Sequence, residues 1–472
     1  MSAPSAKPTK ANHSARERAL AVLLAAQKSD DPIDEILDRL WIVEGADPRD
    51  RGFAMELIYG VLRRQETIDW RLGLVLKKPL PRLPLIIQFI LRLGAYQFLY
   101  MDRVPTSAAV NESVNLAKRY TIKLGRDWSG FVNAVLRALI NASEPALPDG
   151  GQQPARSLSI RYAVPLWLCE RWIAHSGVEA AEAACKTVSA IPAVTLRVNR
   201  FRISRDEVLA RFKEAGLVAR PTAISPAGVV IEEGPPITSL PGFAEGWWYV
   251  EDEAAQLIPL ILDPQPGEQI LDACAAPGGK ATHLAELMKN RGQIVAMDRQ
   301  AVRLDRLKEN SQRLGVTIII SRVGDVRELR LPATGRTVDP IFSMPELFDR
   351  ILVDAPCSGI GVLRRHPEAK WKKHEEMFSR HHNLQKKILE AVAPALRPGG
   401  VLVYSTCSAE REETEDVVGH FCSTHPGWMR ESVAPRLPST ALPFVTAHGA
   451  LSTMGNTFGM DGFYAARLRK VL

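Results

Sequence analysis

Cysteine is scarce. The chain has 472 residues and six cysteines, and no two of them form a C-x-x-C pair. That excludes a disulfide-built scaffold, and the six read as reduced cytosolic thiols. No apolar run is long and clean enough to span a bilayer. The greasiest stretch, around Leu83–Tyr100, is interrupted by Gln88, Arg92 and Gln97. No apolar h-region before a cleavage site appears near the N-terminus, so the expectation is a cytoplasmic protein without membrane contact. Internal repeats and collagen-like periodicity are also missing.

What is there is ordinary globular material. Apolar residues make up 46% and charged residues 24%, which allows sizeable cores. The length predicts two to four domains. Sixty basic residues stand against 53 acidic ones, a net charge of +7. Residues 1–145 hold 21 Lys/Arg and 16 Asp/Glu, so they carry +5 of it. Such a surplus is compatible with a polyanionic partner and equally with a solvated helical surface and a basic tail.

Residues 1–14 have almost no large apolar side chains and read as a disordered tail. From Ala15 apolar residues recur at helical spacing, as in Ala19, Val22, Leu23 and Ala26, and again in Ile86, Phe89, Ile90 and Leu93. No alternating strand precedes about residue 145, so 15–145 is predicted to be an all-helical domain. Residues 146–156 have a linker composition. Residues 157–245 mix helix (Trp167–Ala184, and Ser204–Ala215 with Ser204 as cap) with short strands at 193–198, 229–231 and 247–250, predicting a small α+β module.

From 246 to 472 the rhythm is strand–helix–strand. Strands are predicted to end at Asp272, Asp298, Asp354 and near Ser405, with another at 318–320. Helices are predicted at 281–289, 302–314 and 383–396. This alternation predicts a parallel sheet with helices on both faces and a ligand site at the carboxyl ends of its strands.

The chemistry-bearing residues fall at those ends. Asp272-Ala273-Cys274-Ala275-Ala276-Pro277-Gly278-Gly279-Lys280 joins a strand to a helix. Its glycines let a ligand approach the backbone, and the helix start offers free N–H groups. The spacing is neither GxxxxGK[ST] nor GxGxxG, which argues against ATP and NAD and leaves a smaller nucleoside. Asp298, 26 residues beyond Asp272, can accept from both ribose hydroxyls. Asp325 is placed for an adenine amino group, though Gly324-Asp325 is also turn chemistry. Cys357, in Asp354-Ala355-Pro356-Cys357-Ser358-Gly359, and Cys407, in Ser405-Thr406-Cys407-Ser408, occupy equivalent strand ends. A thiolate can be stabilised there. Cys169, Cys185, Cys422 and the side chain of Cys274 read as small hydrophobes. No metal site is expected, since the two sulfurs lack matching His ligands. His381-His382 reads as helix surface. Arg364, Arg365 and His366 read equally as phosphate contacts and as a solvated basic turn.

These segments, with YSTCS and Asp461-Gly462-Phe463-Tyr464-Ala465, resemble the RsmB/Nop/Sun family of RNA cytosine-5 methyltransferases. Residues 104–112 and 130–137 are similar to the NusB-like domain of its RsmB branch. The resemblance implies a Rossmann-like class I methyltransferase domain behind a helical NusB-like RNA-binding domain and a small α+β module. It implies S-adenosylmethionine (SAM) as cofactor, an RNA substrate with 16S rRNA favoured over tRNA, and a monomer. In the family's chemistry Cys407 would attack cytosine C6 and Cys357 would assist product release. Asp354 would bond the cytosine edge, and Lys280 would touch base or SAM. Cys274, Ala275, Ala276, Pro277, Gly278, Gly279, Lys280, Asp298, Arg303, Asp325 and Asp354 would line the cofactor. A DNA cytosine methyltransferase is disfavoured by a Thr-Cys cysteine beside the Pro-Cys one. An RNA-binding assembly factor with a vestigial methylase fold is disfavoured by the intact loop. Residues 331–347 and 435–455 depart from the family pattern and read as an extra surface loop and an irregular stretch.

Overall fold

The computed structural model describes residues 14–29, 31–41, 47–329 and 347–471. Apart from Ser14 and Leu347, the tail and the extra loop expected from the sequence lie outside the described residues. The chain divides into two compact units. One holds the residues up to Ser189 together with His366–Lys372, and the other holds Ala190–Arg365 and Lys373–Leu472.

The first unit is helical. Its helices are α1 (Ala15–Ala26), α2 (Ile33–Trp41), α3 (Pro48–Gly73), α4 (Leu85–Tyr100), α5 (Thr106–Arg119), α6 (Thr121–Leu124), α7 (Ser129–Asn141), α8 (Pro154–Tyr162) and α9 (Leu166–Ser189). Ser14 caps α1 by accepting from the Glu17 amide, and Asp47 caps α3 ahead of Pro48. The middle of α4 is buried on every side, from Ile86 to Gln97, which makes it the central helix. α8 begins inside the segment read as a linker, because Pro154 suits a first helical position. His366–Lys372 adds a 3₁₀ stretch: Trp371 Nε1 donates to the Leu62 carbonyl at 2.9 Å, and Lys370 Nζ to that of Ala163 at 3.3 Å.

The second unit contains two sheets. The smaller runs β2–β3–β1–β4, built from β1 (Val194–Val198), β2 (Val218–Pro221), β3 (Gly228–Glu233) and β4 (Trp248–Val250), with every pairing antiparallel. Its helix α10 (Arg205–Glu214) opens on a full capping box between Ser204 and Glu207. The larger sheet uses β5 (Gln269–Asp272), β6 (Gln293–Asp298), β7 (Ile319–Val323), β8 (Phe348–Asp354), β9 (Leu396–Thr406), β10 (Trp428–Glu431), β11 (Leu451–Ser452) and β12 (Tyr464–Lys470). Its order is β10–β12–β9–β8–β5–β6–β7, with β11 on β12. Helices α11 (Leu257–Leu262), α12 (Gly279–Leu287), α13 (Ala301–Leu314), α14 (Glu376–Val392) and α15 (Glu415–Thr424) accompany it. Two apolar clusters, around Leu271 and Val353 and around Ile270 and Leu352, pack its strands.

Three sequence expectations need correction. The sheet is mixed: β5 to β9 are parallel, but β12 returns antiparallel along β9, with β10 and β11 antiparallel to it. The helix expected at 383–396 starts earlier, at Glu376, because Phe378 supplies another buried turn. It ends at Val392, where Ala393–Ala395 forms a proline-containing 3₁₀ turn and Leu396 opens β9. Within 435–455, 3₁₀ turns and β11 supply local order.

Candidate active site

The chain order reverses at β5, so the carboxyl ends of β5, β6, β8 and β9 frame a crevice. Between β5 and α12, Gly278 sits at φ +106°, where an added Cβ would meet Leu307 Cγ at 2.8 Å. Glycine is therefore required both for the backbone conformation and for the approach of α13. The loop is stitched to the next strand end. Asp298 accepts from the amides of Gln300 (2.9 Å) and Ala276 (3.3 Å), while Arg303 donates to the Ala276 carbonyl at 2.6 Å.

A cavity of about 560 Å³ opens here, within the usual range for a small-molecule site. Of the residues named from the sequence, Cys274, Ala276, Asp298, Arg303, Asp325, Asp354, Cys357 and Cys407 line it. Ala275, Pro277, Gly278, Gly279 and Lys280 are not among its lining residues and shape the turn instead. Sequence reasoning missed Arg299, Gln300, Arg327, Leu384 and Ile388, which also line the cavity. Arg327 has a local signal, since it follows Asp325 by two residues. It holds both oxygens of Asp325 and, through that hydrogen bonding, depresses the carboxyl to about 2.

Deeper in, Lys280 Nζ lies 2.7 Å from Asp354 Oδ2 and 5.0 Å from the centre of the Phe463 ring. Ser405 Oγ donates to the other Asp354 oxygen at 2.8 Å. Burial opposes the Lys280 charge, but Asp354, Glu251 and Cys407 prevail and hold the ammonium above its ordinary range. Asp272 is buried beneath, and desolvation with Asp354 nearby pushes its carboxyl up to about 7. Cys357 and Cys407 meet at the mouth, with sulfurs 3.2 Å apart. The hydrogen bond to Cys407 and burial push the Cys357 thiol well up. Cys274 is half-buried against the core, and burial raises its thiol too.

Two surface readings fail. Arg364 and Arg365 are neither phosphate contacts nor a solvated turn. Both pair with Asp252 and Asp461, with Arg365 at 2.7 and 2.6 Å, in a cluster where Arg364 and both carboxylates are almost fully buried. Their carboxylate partners lie about 100 residues away in either direction, so no local pattern announces them. His381 turns inward on α14, with Nδ1 3.2 Å from Oε1 of the buried Glu413.

Farther back, Arg197 on β1 donates to Glu251, to Thr282 Oγ1 (2.9 Å) and to the Gly279 carbonyl (2.7 Å). The small sheet thereby buttresses the loop. Among the described residues no cluster of three or more His, Cys, Asp or Glu could hold a metal, and no helix is long and apolar enough to cross a membrane.

Three family profiles match in tandem: the NusB family over 13–141, the RsmF/B-like ferredoxin-like domain over 164–238, and 16S rRNA methyltransferase RsmB/F over 259–469. The probable ribosomal RNA small subunit methyltransferase B of Synechocystis sp. is 38% identical, covering 97% of this chain and 99% of its own. The ribosomal RNA small subunit methyltransferase B of Pseudomonas syringae is 36% identical, covering 97% and 96%. Among solved structures, PH0851 superposes with a TM-score of 0.78 at 26% identity, covering 97% of this chain and 98% of its own. With a Rossmann-like fold behind a NusB-type helical domain and this likeness along nearly its whole length, the chain belongs to the ribosomal RNA small subunit methyltransferase B family.

Proposed function

We propose that the protein methylates C5 of a cytosine in 16S rRNA through a transient bond from Cys407 to C6, with SAM as cofactor. The observation that carries this reading is the pair of thiols, 3.2 Å apart, on the wall of a nucleoside-sized cavity beside the Lys280–Asp354 ion pair. SAM, when bound, supplies the methyl group. The residues fit it: Asp298 is an acceptor for ribose hydroxyls at a strand end and Asp325 for an adenine amine. Cys274, Ala276 and Arg303 line the same wall. Ala275, Pro277, Gly278 and Gly279 would hold the turn in which Asp298 and Ala276 meet.

Cytosine C5 is a weak nucleophile. Addition of the Cys407 thiolate to C6 moves electron density onto C5, and covalent catalysis divides one hard step into easier ones. Asp354 would accept from the cytosine exocyclic amine, while Lys280 fixes that carboxylate and its charge favours electron density on the ring. Once C5 carries the methyl group, a base would take the C5 proton, and the electrons of that C–H bond would re-form the C5–C6 double bond and expel Cys407 as thiolate. Cys357, held as a thiol beside it, would assist that departure. A base in a loop is already unstacked, whereas one in a stem must be extruded.

The test is a trap. With 16S rRNA fragments carrying 5-fluorocytidine, whose C5 has no proton to lose, a covalent protein–RNA adduct should accumulate. Cys407→Ala should abolish it, and Cys357→Ala should retain it. An adduct that survives Cys407→Ala overturns the assignment. Bisulfite sequencing of rRNA and tRNA from cells lacking the protein identifies the substrate: a missing 16S mark is expected, and a lost tRNA mark alone refutes 16S rRNA.

A further inference from the structure

The two cysteine loops come from different strands, β8 and β9, yet their sulfurs touch. Something must fix one loop against the other. Backbone contributes one tie, from the Gly361 amide to the Cys407 carbonyl at 3.0 Å. The larger tie is a side chain. Glu413 is wholly buried and lies six residues past Cys407. One of its carboxylate oxygens accepts from the Ser358 amide at 2.6 Å and faces His381 Nδ1 at 3.2 Å. The other accepts from Ser358 Oγ. The Ser358 hydroxyl lies 3.3 Å from Ser408 Oγ. Ser358 and Ser408 are the residues immediately after Cys357 and Cys407. Behind Glu413, Tyr404 OH donates to its carbonyl at 2.6 Å, and Gln385 of α14 donates to the Pro356 carbonyl at 3.0 Å.

Burial works against the Glu413 charge. The polar contacts of His381, Ser358 and Ser408 outweigh it and hold the carboxyl below its ordinary range. A satisfied, ionised carboxylate in a dry site is a rigid clasp, because each donor would lose a charge-assisted bond by moving.

We propose that Glu413 is a positioning residue: its carboxylate, with His381 beside it, clasps Ser358, whose hydroxyl lies against Ser408, and so sets Cys357 and Cys407 in register for the reaction. The inference rests on the reading of the two cysteines given above. Glu413 bonds neither sulfur: its charge helps raise the Cys357 thiol, and its grip on the loop runs through Ser358.

The test separates geometry from catalysis. Diamide takes two electrons and two protons from a close pair of thiols, and the Cys357–Cys407 link is read by peptide mass spectrometry without RNA or SAM. In parallel, kcat and the KM for SAM are measured on 16S rRNA. In Glu413→Ala, linking should slow at least about tenfold and kcat fall about 100-fold while KM for SAM stays within about twofold, as expected of a misplaced reacting group. Glu413→Gln keeps the shape and one acceptor and should recover part of both. If Glu413→Ala does not fold, Glu413→Gln and Ser408→Ala carry the test. A folded variant that links at the wild-type rate, or whose kcat is unchanged, overturns the proposal. A wild-type protein that links rapidly but transfers no methyl group would instead refute the proposed function and leave the clasp standing.

Discussion

Lys370 shows how far a single side chain can be pressed by its surroundings. It is 1% exposed, with Arg63 and Arg64 nearby, and desolvation first, then these cations, lowers its ammonium to about 7 from an ordinary 10.5. A base depressed in the fold costs stability wherever it must be charged. The cost is full below pH 7 and fades as pH climbs toward 10.5, because there the unfolded chain binds the extra proton. Stability should therefore rise by up to about 1.4 kcal/mol per pH unit between pH 7 and 10. Lys370→Met should flatten that slope. Thermal melts at fixed ionic strength across this range check it, and equal slopes in both proteins would refute it. At this scale the sequence is uneven. The placement of Cys357 and Cys407 at strand ends is legible: Cys407 directly follows β9, and Cys357 lies three residues past Asp354 at the end of β8. Glu413, His381 and Lys370 are not, because their importance comes from burial against partners far along the chain.

At the scale of elements, the strand–helix alternation from β5 to β9 was legible, since buried parallel strands leave apolar runs with sharp acidic ends. The edge of the sheet was not. β12 carries Ala465, Ala466, Arg467 and Arg469, which have little intrinsic strand preference, and its pairing with β9 is decided by burial. The helical cap at Ser204 was readable because a capping box is local. The close passage of two loops was not. Gly361 donates to the Cys407 carbonyl, and its own carbonyl accepts from the Gly462 amide at 2.9 Å. An added Cβ at 361 would fall 1.9 Å from the Gly462 oxygen. Gly361→Ala must push the segment before β12 away and should cost about 1–3 kcal/mol, readable by denaturant titration. A wild-type midpoint with an unchanged slope would show that the contact yields freely.

For the whole molecule, the notable fact is the membership of His366–Lys372 in the helical unit, although both flanks belong to the other. The sequence gives no local signal of it, since the partners of Trp371 and Lys370 lie 309 and 207 residues earlier. The segment is fixed there by Trp371, bonded to Leu62, and Lys370, bonded to Ala163. Trp371→Ala should speed amide hydrogen exchange in α3 and α8 while leaving β5 and β6 unchanged. Uniform exchange across both units, or none of this acceleration, would deny the segment that role.

That membership has a temporal side. A nascent chain emerges from its amino end, and Ser189 leaves the ribosome 177 residues ahead of His366. At roughly 5–20 residues per second, the helical unit waits about 10–35 s for its last piece. Until then Leu62 and Ala163 lack the donors that Trp371 and Lys370 supply, and the unit is finished only once the loop bearing Cys357 has been made.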